Sequence, residues 1–145
     1  KICEQGRFGQ KTGSGFYKYD DQRNATPDPW IEELIISHSR EVGITRRAIP
    51  DQEIIERAIY SMINEGAKIL EEGIAARPLD IDVVWLYGYG FPIYRGGPMF
   101  YADTVGVKKV YEAILKYKDL VGAEYWTPSL LLEKLAKEEK GFYSK

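Results

Sequence analysis

Apolar residues recur at helical spacing along most of this chain, most clearly from about Pro50 to Ala76. At ~100° per residue, Ile55, Ala58, Ile59, Met62, Ile63, Ala67, Leu70 and Ile74 fall on one broad arc, with Arg57, Ser61, Asn64, Lys68 and Glu71 opposite. The pattern predicts one long amphipathic helix with Asn64 as a surface side chain. Gly66 sits on the apolar arc, where a missing side chain weakens the helix but lets a neighbour approach, so a helix crossing is expected there.

Shorter helical patterns flank it. Asp28 reads as an N-cap and Pro29 as the first residue of a helix through Trp30, Ile31, Leu34, Ile35 and His38. Pro78 and Asp80 open a helix through Ile81, Val84 and Trp85, which Gly88 and Gly90 stop; Gly97-Pro98 opens another, which Gly106 ends. Val107, Val110, Tyr111, Ile114 and Leu115 mark a fifth, and Thr127 as N-cap with Pro128 opens the last, through Leu131, Leu132 and Leu135. The expectation is an all-α domain of about six helices behind an irregular, Gly-rich N-terminal segment. No strand-helix-strand alternation occurs, so no doubly wound nucleotide-binding sheet is expected within these residues.

The two ends of the chain echo each other. Gly15-Phe16-Tyr17-Lys18-Tyr19 and Lys140-Gly141-Phe142-Tyr143-Ser144-Lys145 read as one element used twice. On that reading residues 1–25 are the tail of a preceding helical domain plus a linker, and residues 26–145 are a second, whole helical domain. A first residue that is not Met suits an excised or processed piece.

Composition narrows the classes. Across 145 residues, 44% hydrophobic and 13% aromatic against 29% charged describes a chain able to bury a core. The net charge of -2 argues against the positive field that non-specific nucleic-acid binding needs. A single cysteine, Cys3, favours a reducing interior, and neither a signal-peptide core nor an apolar run of ~20 residues occurs. A cytoplasmic protein without a membrane span is expected, and the look of the motifs suggests a bacterial source.

Candidate chemistry is sparse. His38 is the only histidine, which excludes two-histidine metal sites, and on the Ile31-Ile35 stripe it reads as partly buried and structural. Gly6-Arg7-Phe8-Gly9-Gln10-Lys11-Thr12 lacks the spacing of a phosphate-binding loop, and Gly88-Tyr89-Gly90 lacks the third glycine and the preceding strand of a dinucleotide fingerprint. Asp80 and Asp82, two apart on a helix, do not face each other as a catalytic pair. Asn64 is the neutral polar residue near the long helix's centre able to hydrogen-bond a ligand. Arg95 offers a bidentate guanidinium beside the Gly96-Gly97-Pro98 turn.

Three stretches together resemble the C-terminal region of the multifunctional fatty-acid β-oxidation enzymes, which join an enoyl-CoA hydratase to a 3-hydroxyacyl-CoA dehydrogenase. They are residues 6–17, Asn64 to Ala75 with Asp80-Ile81-Asp82, and Gly88-Tyr89-Gly90-Phe91-Pro92 through Gly96-Gly97-Pro98 to Asp103. The resemblance implies the second of two related helical dehydrogenase domains, packed on the first helical domain and following an NAD-binding Rossmann domain. The family's catalytic His and Glu belong to the Rossmann domain, so no catalytic, cofactor-binding or metal-binding residue is assigned here. Asn64 occupies the place of an acyl-CoA-contacting Asn in the first copy. Asn64, Arg95, Gly96 and Gly97 are therefore the substrate-binding candidates. The implied role is a non-catalytic packing module of an NAD-dependent 3-hydroxyacyl-CoA dehydrogenase, able to self-associate as a homodimer when isolated; the alternative is an acyl-CoA- or partner-binding helical module without chemistry of its own.

Overall fold

Tyr60, Ile63, Asn64 and Ala67 stand three, four and seven positions apart, and this stripe, turned from the broad arc of the sequence reading, is the buried face of the longest helix. A computed structural model describes residues 1–144; Lys145, the last residue of the repeated end element, lies outside them. The chain forms two compact units, residues 1–48 and 49–145, so the helix that opens at Pro29 belongs with the Gly-rich start.

In the first unit, single 3-10 turns at Cys3–Gln5 and Gln10–Thr12 lead into a two-stranded antiparallel ribbon, β1 (Lys18–Tyr19) and β2 (Ala25–Thr26), paired Lys18 to Thr26 and Tyr19 to Ala25. The segment expected to be irregular thus holds a small ribbon, closed by Asp20, whose carboxylate accepts the Gln22 and Asn24 amides at 2.9 and 2.8 Å. Helix α1 (Pro29–Glu41) follows as expected, with Asp28 accepting the Trp30 amide at 3.2 Å and Pro29 in the first turn. His38, expected to be partly buried, has a side chain 47% exposed and lies 3.2 Å from Glu41 in the last turn. Only Ile31 of the predicted stripe is buried, so the face His38 shares is too narrow to cover it.

The second unit is helical throughout its regular structure, as expected. It comprises α2 (Asp51–Glu71), α3 (Pro78–Gly88), α4 (Pro98–Val105), α5 (Val107–Val121) and α6 (Leu130–Lys137), with one 3-10 turn at Ile93–Arg95. Helix α2 stops five residues before the predicted end. Gly73 takes a left-handed φ of 72° and the Ile74 amide reaches back to the Ile69 carbonyl at 3.0 Å, which satisfies the last carbonyls and turns the chain away. Ile74, assigned to the apolar arc, is consequently 73% exposed.

The core lies between α2, α5 and α6: Tyr60, Ile63 and Ala67 meet Val110, Ile114, Tyr117, Leu132 and Trp126. Tyr117 packs against Trp126 with the rings tilted and their centres 4.9 Å apart, and donates its hydroxyl to Glu56 at 2.5 Å, so the ring is buried without stranding its polar tip. Burial, with the Glu56 charge nearby, pushes the Tyr60 hydroxyl up to about 12. The close approach predicted at Gly66 is present: a Cβ there would stand 2.6 Å from the Met99 sulfur of α4 and 3.7 Å from Ile81 of α3. Leucine at Gly66 would have to displace both neighbours. Gly66→Leu is expected to destabilise the unit by about 2 kcal/mol, measured by urea unfolding, from overpacking that outweighs its gain in helix propensity.

Candidate functional site

Helix α4 begins at Gly97-Pro98, and neither residue has a side chain able to accept the first amides of the helix. The acceptor comes from α3. Asp82, fully buried, takes the Met99 amide at 2.7 Å and the Phe100 amide at 3.0 Å, and accepts the Tyr143 hydroxyl at 2.6 Å. A carboxylate at a helix N-terminus is favoured by the helix dipole as well as by the orphan donors. Burial pushes the Asp82 carboxyl above its ordinary range, against the pull of the three donors, and the neighbouring Asp103 charge adds to the rise. Burial and the hydrogen bond to Asp82 also raise the Tyr143 hydroxyl.

One turn along α4, Asp103 accepts the Phe142 amide at 2.7 Å and the Tyr143 amide at 2.9 Å. Two aspartates thereby bind the same tail, one through its backbone and one through its hydroxyl. Neither residue was singled out from the sequence for this role. The readable signal was indirect: a Gly-Pro helix start with no cap of its own requires an acceptor from elsewhere.

The four substrate-binding candidates occupy different settings. Asn64 is buried rather than on the surface; its amide donates to the Thr127 carbonyl at 2.8 Å and its oxygen accepts the Ser129 amide at 2.9 Å. Position 64 follows Tyr60 by four, which turns it inward. These bonds fix the loop before α6, where Ser129, not the expected Thr127, is the N-cap and accepts the Leu132 amide at 3.0 Å. Gly97 has φ 99°, and the space a Cβ would need is taken by the Asp82 carboxyl. Gly96 closes the 3-10 turn at φ 76°, against the Phe100 ring. Arg95 is exposed; its guanidinium lies 5.2 Å from the Tyr94 ring centre and 5.4 Å from that of Tyr101. Asn64 and Arg95 share no hydrogen bond or ring contact among the described residues. Asp80 pairs with Arg77 at 2.6 Å and does not face Asp82 as a dyad.

The first unit has its own buried carboxylate, Asp28. Arg7 pairs with it, donates to the Gly15 carbonyl at 2.9 Å and stacks 4.8 Å from the Trp30 ring centre. Burial works against the Asp28 charge, but the Arg7 hydrogen bond, the Trp30 amide and the Lys18 charge outweigh it and hold the carboxyl below its ordinary 3.8.

The Gly88-Tyr89-Gly90 turn does not have the setting of a dinucleotide loop. Gly88 and Gly90 follow the C-terminal end of α3, where the helix dipole repels phosphate, and the only sheet among the described residues is the two-stranded ribbon. No group of three or more metal-ligating side chains occurs among the described residues, and no helix there is long and apolar enough to cross a membrane.

Residues 54–143 match the family model described as 3-hydroxyacyl-CoA dehydrogenase, C-terminal domain. The chain is 51% identical over 137 residues to the peroxisomal bifunctional enzyme of Danio rerio and 49% identical over 143 residues to that of Homo sapiens, covering 92% and 94% of this chain. It spans 19% of the length of each. The crystal structure of the dehydrogenase part of multifunctional enzyme 1 from C. elegans superposes with a TM-score of 0.68 at 31% identity, over 92% of this chain and 31% of that one. The two bifunctional enzymes are peroxisomal by name, which overturns the expectation of a cytoplasmic, bacterial protein. A lone cysteine reports only a reducing interior and cannot distinguish compartments.

Two outcomes follow from this geometry. Asn64→Ala strands the Thr127 carbonyl and the Ser129 amide and should cost about 2–4 kcal/mol in chemical unfolding, whereas Asn64→Asp restores only the acceptor and recovers part of that loss. The stability that Asp28 contributes is present above pH 3.8 and is lost as the pH falls through its lowered folded value. Asp28→Asn should therefore flatten the fall in melting temperature of the first unit as the pH drops below 3.8.

Proposed function

Because the chain belongs to the 3-hydroxyacyl-CoA dehydrogenase C-terminal domain family, we propose that it is part of an NAD-dependent 3-hydroxyacyl-CoA dehydrogenase of peroxisomal fatty-acid β-oxidation and serves there as a packing module without catalytic groups of its own. The parent enzyme would oxidise the 3-hydroxyl of an acyl-CoA with NAD as hydride acceptor, held by a Rossmann domain outside these residues.

The observation that carries the packing role is the outer surface of α3. This helix is apolar on nearly all sides, a pattern that calls for cover on both faces. Its inner side meets α2 and α4, while Leu79, Val83, Val84 and Tyr87 remain exposed. Beside them a groove of about 630 Å³ is lined by Ile69, Ile74, Ile81, Val84 and Trp85. Such a patch suits the first helical domain of the parent enzyme, or a second copy of the chain when that domain is absent.

A second reading rests on Arg95, stacked on two tyrosines with no carboxylate partner among the described residues, a setting suited to a CoA phosphate beside Gly96 and Gly97. With Asn64 committed to the 127–129 loop, that site would rest mainly on one guanidinium.

The purified chain is expected to show no NADH binding in a fluorescence titration and no oxidation of a 3-hydroxyacyl-CoA. In sedimentation it should self-associate, and Val84→Glu should return it to monomer. Tight NADH binding would end the packing reading, and a chain that stays monomeric at high concentration would remove the exposed-face argument. Heat on titrating acyl-CoA, lost in Arg95→Ala, would favour the second reading.

A further inference from the structure

The tail of the helical unit docks through a short chemical pattern. Phe142 and Tyr143 donate consecutive amides to the two oxygens of Asp103, and the Tyr143 hydroxyl reaches Asp82. Gly141 lies where Asp103 leaves no space for a Cβ, and the Tyr143 ring meets Phe100 edge-on at 6.0 Å. The same three residue types recur in the same order at Gly15-Phe16-Tyr17.

In the first unit Gly15 packs against the Gly9 backbone, but Phe16 and Tyr17 have no receiver. Phe16 is 62% exposed and Tyr17 49% exposed, and among the described residues neither of their amides nor the Tyr17 hydroxyl has a hydrogen-bond partner. The turn beneath them is nonetheless fixed. The Gly15 amide donates to the Tyr17 carbonyl at 2.8 Å, the Tyr19 amide to the Gly13 carbonyl at 2.9 Å, and Arg7 to the Gly15 carbonyl at 2.9 Å. Two consecutive amides and two large rings held toward solvent on a braced turn are a presented surface, not a frayed end.

We infer that Gly15-Phe16-Tyr17 is a docking element, received by a pair of carboxylates placed like Asp82 and Asp103 on another helical copy of this domain. The receiver in this chain is filled by its own Gly141-Phe142-Tyr143, so the carboxylates must come from a second copy. The inference rests on the reading of residues 1–25 as the tail of a preceding helical domain, and it adds the chemistry that fastens that tail. Carboxylate oxygens suit the task because one group accepts two neighbouring amides, and charge-assisted bonds of this kind are about twice as strong as neutral ones.

The test transplants the element. In the full chain, residues 140–145 are replaced by the sequence of residues 14–19, and melting is compared with the unaltered chain and with a chain ending at Glu139. The transplanted chain should melt within about 3 °C of the unaltered one and the shortened chain at least about 6 °C lower, with Asp103→Asn abolishing the difference between them. A transplanted chain that melts as low as the shortened one overturns the inference, as does a shortened chain that loses nothing. A second measurement needs no transplant. In amide exchange on the Val84→Glu chain, kept monomeric, Phe142 and Tyr143 should be protected and Phe16 and Tyr17 should exchange freely; protection at Phe16 and Tyr17 would show them already received within the chain and overturn the inference. Success of the transplant without a helical copy encoded upstream would defeat the tail reading while supporting the docking chemistry, with a copy from another chain as receiver. Failure with such a copy present would defeat the docking alone.

Discussion

A helix that opens on glycine and proline cannot cap itself, and the placement of α4 in this chain depends on Asp82 supplying the missing acceptor from α3. The constraint propagates. For the carboxylate to reach the Met99 and Phe100 amides the backbone at position 97 must pass directly over it, which only a residue without a Cβ permits. With α4 so placed, Met99 fills the space left at Gly66 of α2, and Asp103 meets the tail one turn further on. A buried carboxyl is costly to desolvate, and it is retained because three donors converge on it.

Asn64 solves the same problem for the last helix. Standing on α2, it binds the carbonyl of Thr127 and the amide of Ser129, the N-cap residue of α6, so two helix starts are each fastened by a polar side chain on a neighbouring helix. Apolar contact is non-directional and tolerates small slips of one helix along another. Buried amide and carboxylate bonds do not, because a displaced partner leaves an unsatisfied group. The apolar core drives collapse of the helical unit, and Asp82, Asp103 and Asn64 set its register.

How much of this was legible in the sequence follows from which interactions are local. The starts of α1, α3, α4 and α5 were readable because Asp28, Pro29, Pro78, Gly97-Pro98 and Gly106 act within their own turns. The end of α2 is masked in the sequence because apolar periodicity runs on past Gly73, while the left-handed turn that stops the helix depends on that one residue. Asn64 reads as exposed from the broad apolar arc, whereas the narrower buried stripe that Tyr60 defines includes it. Asp82 and Asp103 carry the fastening of α4 and the tail, but their partners lie 17 to 61 positions away, and nothing in their immediate neighbourhood distinguishes them from solvated acids. The peroxisomal names of the relatives have no counterpart in any residue pattern of this chain.

The distribution of polar groups also bears on what the domain can do. No buried side-chain nitrogen or oxygen among the described residues lacks a partner, so the polar groups of the interior are matched to one another. Asp82, Asp103 and Asn64 are spent on the fold, and Tyr143 is spent with them. What faces outward from α3 is apolar surface, which discriminates poorly among small polar ligands but pays well in contact with another apolar face. A domain that turns its directional chemistry inward and its hydrophobic surface outward is suited to being held by protein, and any selectivity in that contact must come from the few polar fasteners at its edge.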